Sequence, residues 1–138
     1  KLKLRKRIKA LQKIQEMEQS GEKTSALDGI GKNQPALNRA FKLGKRASSV
    51  GFDWHSVEDV IAKISEELEE LTSALESGEA ALIEEEVGDL LFSVVNIARS
   101  TQQNPETALR KANQKFEARF RGMEEHLHTT NQKLENLS

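Results

Sequence analysis

Cysteine and tyrosine are absent from this 138-residue chain, and it has only two prolines and one tryptophan. Without cysteine there is no disulfide, no thiolate nucleophile and no sulfur ligand for a metal, which fits a reducing compartment and a cytoplasmic location. Two prolines and eight glycines supply few turns, so the elements must be long. Aromatic and β-branched residues are sparse, which disfavours strands and points to an all-α fold. No apolar run approaches the roughly 20 residues of a membrane span, and the basic start has no apolar block behind it, so it is not a signal peptide. A net charge of -1 provides no global field for nucleic acid or membrane; neither is expected as a partner.

What is present is uneven charge. Seven Lys or Arg fall within residues 1–13, with Leu4, Ile8 and Leu11 on one side. No aromatics interleave these cations, so a solvated helix is favoured over a nucleic-acid arm. "SGEKTSALDGIGKNQ" (20–34) is small, polar and glycine-rich, a linker by composition.

Four amphipathic helices are then predicted. Pro35 opens the first at its N-terminal turn, with Leu37, Ala40, Phe41 and Ala47 inward and an end near Gly51. After the loop "VGFDWHS", Ser56 is the N-cap of a helix from Val57 to about Ser77. Its stripe is Val57, Val60, Ile61, Ile64, Leu68, Leu71 and Leu75. The next runs from about Glu79 to Ser100 and contains "LLFSVVNIA", apolar at seven of nine positions. That exceeds one buried face and predicts a second, covered by another subunit. Asn104 and Pro105 begin the last helix, with Leu109, Ala112, Phe116, Phe120, Met123 and Leu127 along one side. Trp54, after a glycine loop, is expected to plug the core, with stacking on a base as the alternative.

Between Lys63 and Phe92 lie ten carboxylates, spread over two consecutive helices. At about 100° per residue, Glu67 and Glu70 flank the first stripe, with Lys63 one turn back. Glu86 and Asp89 flank the second, followed by Ser93 and Asn96. The link "SGEAA" makes the helices antiparallel neighbours. With one placement of the helices the acidic strips converge; with the other they point apart. Converging, they would crowd four carboxylates beside a dry core, where like charges raise one another's pKa and a divalent cation removes the conflict. All-oxygen ligands select a hard ion, Mg²⁺ first and Mn²⁺ second. Mg²⁺ keeps positions for water and phosphate, so a phosphate substrate follows, and Lys63 suits it too. Glu pairs at i, i+3 are also common on solvated faces, so spacing by itself leaves both readings open.

At these residues the chain resembles the MazG-type nucleoside triphosphate pyrophosphohydrolases. "EELEE" (Glu66–Glu70) and "EVGD" (Glu86–Asp89) match that family's Glu-Glu-x-x-Glu … Glu-x-x-Asp signature. "PALNRAFKLGKRASSVGFDW", "EEEVGDLLFSVVNIAR" and "ALRKANQKFEARF" resemble further family segments, in family order, and the likeness runs from about Ser25 to His126. It implies an antiparallel helical bundle that dimerises and Mg²⁺-dependent hydrolysis of nucleoside triphosphates to monophosphate and pyrophosphate. It implies Glu67, Glu70, Glu86 and Asp89 as metal ligands, Lys63 and Glu66 near the nucleotide, and Lys115 and Arg119 on its phosphates. Glu66 is the candidate base. The chain then divides into a basic lead-in (1–32), a catalytic domain (33–130) and a polar tail (131–138), and is expected to be the C-terminal part of a longer protein. The competing expectation is a catalytically silent helical module of the same fold, docking a partner through its acidic face.

Overall fold

In the computed structural model, residues 2–19 and 25–130 are described. The tail at 131–138 and the first five residues of the predicted linker (20–24) lie outside them. Every regular element among the described residues is an α-helix: α1 (Leu2–Gln19), α2 (Ala36–Ser49), α3 (Val57–Ser77), α4 (Ala80–Ser100) and α5 (Pro105–Thr129). The all-α expectation holds, and the boundaries of α2–α5 fall within a residue or two of the predicted ones. The chain forms two compact units, 1–105 and 106–138, each described by itself.

Local chemistry explains the ends. Ser56 Oγ accepts from Asp59 N at 3.2 Å, capping α3, and Glu58 and Asp59 place negative charge at the positive end of the helix dipole. Gly78 closes α3 in the left-handed conformation (φ 70°), its N–H returning to Leu75 O. Glu79 N donates to Ser77 Oγ at 3.2 Å, so the chain turns back at once into α4 and the two helices pack as an antiparallel pair. At the end of α2, Gly51 (φ 91°) and Phe52 fold back, Phe52 N donating to Ala47 O at 3.0 Å. Arg46 on α2 donates from Nη1 to the carbonyls of Ala26 and Asp28, both at 3.1 Å, fastening the turn before α2 to the bundle.

α2, α3 and α4 make the first unit, α2 and α3 each packing on α4, with α1 lying on α2. Its core is narrow. Val60 and Val95 are fully enclosed and Ala74 nearly so; each enclosed valine contributes about 2 kcal/mol. Ile61, Leu68 and Leu75, seven residues apart on α3, stay largely in solvent, as do Val87, Leu91 and Val94 on α4. The surplus apolar surface of "LLFSVVNIA" therefore exists, and among the described residues of the first unit these side chains stay exposed.

Among the described residues, the second unit consists mainly of helix α5. Phe116 and Phe120 stack one turn apart, centroids 6.0 Å, and Arg121 pairs with Glu117 at 2.9 Å. Leu109, Phe116 and Met123 lie largely open on its apolar side.

Candidate metal and nucleotide site

The acidic strips of α3 and α4 converge. One carboxylate oxygen each from Glu67, Glu70 and Glu86 lies within 4.8 Å of the others, the arrangement that one of the two helix placements allows. Glu67 sits on the α3–α4 seam and is only 4% exposed. Its Oε1 takes a salt bridge from Lys63 Nζ at 3.1 Å, while its Oε2 is buried without a hydrogen-bond partner. Glu86, half-buried across the seam, likewise has an unpartnered, buried Oε2. Two buried carboxylate oxygens left without partners in one acidic cluster are costly unless a cation joins them.

The electrostatics agree. Glu86 is pushed up to about 7 by loss of hydration, by the neighbouring Glu70 carboxylate, and by the charges of Asp89 and Glu67. Lys63 is held above the usual lysine range by its hydrogen bond to Glu67, with the Glu66 and Glu70 charges adding to the effect. The donor set is all carboxylate oxygen, which fits a hard divalent cation.

Asp89 does not join the tight triad but lines the cavity beside it, together with Glu67 and Lys63. Glu66 is exposed and reaches Lys63 at 3.6 Å. Lys115 and Arg119 lie on α5, exposed and four residues apart, in the unit described separately.

The cavity measures about 880 Å³, within the range of small-molecule sites. Lys63, Glu67 and Asp89 line it together with the apolar side chains of Leu43, Ala47, Phe52, Trp54 and Phe92, and Arg7, Asp53 and Arg99 add further charges. Trp54 is 40% exposed and lines this space, so it is a wall residue and not the core plug expected of it. The reason is local. Asp53 accepts from Trp54 N at 2.8 Å and from Ser48 Oγ at 2.8 Å, which fixes the loop that lines the cavity.

Asp53 also receives both ends of the Arg99 guanidinium, Nη2 at 2.7 Å and Nη1 at 3.1 Å. Arg99 holds the Asp53 carboxyl down at about 2. The Arg99 side chain crosses α2 at Gly44, where a Cβ would come within 2.8 Å of its Nε and 3.2 Å of Asn96 Oδ1. Gly44, Asp53 and Arg99 carried no sequence signal strong enough to mark them. A glycine inside a predicted helix, facing the helix that bears Asn96 and Arg99, was the trace of the close approach.

Comparison with known proteins places this geometry. The family model described as MazG nucleotide pyrophosphohydrolase domain matches residues 55–128, which include every carboxylate of the cluster. Nucleoside triphosphate pyrophosphohydrolase/pyrophosphatase MazG of Thermotoga maritima is 45% identical over 124 residues, 90% of this chain and 48% of that protein. Nucleoside triphosphate pyrophosphohydrolase of Escherichia coli K12 is 48% identical over 102 residues, 72% of this chain and 39% of that protein. YabN of Bacillus subtilis, an uncharacterized protein, is 39% identical over 113 residues, 81% of this chain and 23% of its own length. The chain thus spans about half or less of these curated relatives. Profile and relatives agree with the carboxylate spacing, and the chain belongs to the MazG nucleotide pyrophosphohydrolase family.

Proposed function

We propose that this chain hydrolyses nucleoside triphosphates to nucleoside monophosphate and pyrophosphate with Mg²⁺, or Mn²⁺ in its place. The observation that carries the reading is the pair of buried, unpartnered oxygens, Glu67 Oε2 and Glu86 Oε2, on two members of one carboxylate cluster, of which Glu67 also lines a nucleotide-sized cavity. The names of the relatives support the substrate class.

Glu67, Glu70 and Glu86 would hold the ion, with Asp89 beside them. When bound, a divalent ion neutralises phosphate charge and acidifies a water. The water oxygen bonds to the α-phosphorus, the bond from that phosphorus to the bridging oxygen breaks, and pyrophosphate departs with the electron pair. Glu66, exposed and adjacent to Lys63, is positioned to take the water's proton. Lys63, already beside Glu67, would turn to a phosphate oxygen once the ion takes over its role. Lys115 and Arg119, one turn apart, are assigned to charge on the departing pyrophosphate.

The uncovered apolar rows on α3 and α4 support assembly as a homodimer or larger oligomer. No helix among the described residues is long and apolar enough to cross a membrane, and a nucleotide substrate suits the cytoplasm. The test is incubation with each nucleoside triphosphate and Mg²⁺, then separation of products. Monophosphate with pyrophosphate is expected. Diphosphate with phosphate would overturn the reaction assigned, and no product from any nucleotide would leave the silent helical module.

A further inference from the structure

Two polar side chains in the cavity wall have no role in the chemistry above. Ser93 is 6% and Asn96 7% exposed. Both project from α4 into the cavity, one and two turns beyond Asp89, among Leu43, Phe52, Trp54 and Phe92. The Ser93 hydroxyl makes no hydrogen bond among the described residues, and Asn96 Nδ2 has no protein acceptor there. Both groups line the cavity and are unpaired with protein, so each can pair with a ligand held there.

Asn96 is not free to choose how it pairs. Arg99 Nη2 lies 3.4 Å from its Oδ1. The bond is long, but the guanidinium's charge decides the amide's orientation, because the flipped form would set an NH₂ against a cation. Arg99 is held in place: Asp53 grips both its terminal nitrogens, and its stem passes close against Gly44. Asn96 therefore offers the cavity hydrogen-bond donors alone.

We propose that the cavity wall around Asn96 is a base-reading site selective for keto bases, with Asn96 Nδ2 donating to the exocyclic oxygen of guanine, hypoxanthine, uracil or thymine. Ser93 Oγ accepts from the adjacent ring N–H of the same bases. Adenine and cytosine present an amino group where the amide donates, and an unprotonated ring nitrogen beside it. Arg99 and Asp53 are positioning residues that act through Asn96. The inference rests on the hydrolase reading for its substrate but not for its test.

The test compares ligands that differ only at that edge. For the whole chain, kcat/KM is measured for ITP against ATP and for UTP against CTP, and binding of the matching monophosphates is measured by calorimetry without metal. Each keto member should be favoured about tenfold, the worth of one hydrogen bond made or lost. Asn96→Asp turns one oxygen to Arg99 and the other to the cavity as an acceptor, so the preference should reverse. Asn96→Ala should bring both ratios to about one. Equal or inverse ratios in the parent, undiminished ratios in either variant, or no monophosphate binding would overturn the proposal. Discrimination among monophosphates without hydrolysis of any triphosphate would sink the hydrolase reading and leave base reading standing.

Discussion

Lys63 Nζ lies 3.1 Å from one oxygen of Glu67, while the other oxygen of that carboxylate is buried and unpartnered. The lysine does part of a cation's work from the outer side and leaves the inner side open. A divalent ion binding there would meet the lysine's charge as a competitor. Lys63→Met keeps the stem and removes the charge. It should bind Mn²⁺ severalfold more tightly by calorimetry and show a raised KM for nucleotide, with unchanged helical circular dichroism. Unchanged metal affinity would mean that the lysine does not compete at the site.

Glu86→Gln separates repulsion from ligation. The side chain keeps its size and loses the charge that Glu70, Asp89 and Glu67 oppose. Metal-free Tm should hold or rise. For the parent, Mg²⁺ at about 100 times its Kd should add about 2.7 kcal/mol, several degrees in Tm. The variant should lose that increment along with its turnover. A metal-induced rise equal to the parent's would remove Glu86 from the ligand set.

The helices, their caps and the acidic residues were legible because each rests on local periodicity or on a residue at a turn: Ser56, Gly78 and Pro105 all sit where their chemistry places them. Which way α3 and α4 lie against each other was not legible. That choice belongs to packing between the helices, and it is what makes the strips meet. The role of Trp54 was misjudged because its position depends on Asp53 and Arg99, which are 46 residues apart. Pairing at such distance leaves no period in the sequence. Lys115 and Arg119 were legible as a pair on one face of α5, and their function remains part of the proposal.

Gly44→Ala tests the close approach of α2 to α4. In an open helix, alanine gains up to about 1 kcal/mol over glycine. Here the added carbon would stand 2.8 Å from Arg99 Nε, in a side chain gripped by Asp53 and unable to swing away cheaply. Net destabilisation of about 1–2 kcal/mol is expected, read as a fall of several degrees in Tm. A rise in Tm would show that Arg99 moves freely.

Leu68 and Leu91 stand at the centres of the apolar rows on α3 and α4, 49% and 52% exposed in the single chain. On a monomer, polar replacements there would change stability by no more than about 0.5 kcal/mol. In an oligomer they would bury charge at an interface. The double variant Leu68→Glu, Leu91→Glu should sediment as a monomer where the parent sediments as a dimer or larger species. A parent that is monomeric at micromolar concentration would refute the assembly.

Asp53 supplies the pH dependence. Its carboxyl is lowered from 3.8 to about 2, first by the Arg99 hydrogen bond and then, against the cost of burial, by Ser48 and the Trp54 N–H. A depressed carboxyl contributes stability that is complete above its unfolded value and lost as pH falls through the folded one. The window is therefore pH 4 down to about 2. Because the Asp53 side chain is 32% exposed, screening reduces the contribution to about 1 kcal/mol. Other carboxylates titrate in the same range, so the measurement is the difference between the parent and Asp53→Asn. Urea unfolding at pH 5 should show the variant less stable by about 1 kcal/mol, and the gap should close toward pH 2. A gap that stays constant with pH would mean that the Asp53–Arg99 pair does not stabilise the fold through its charge.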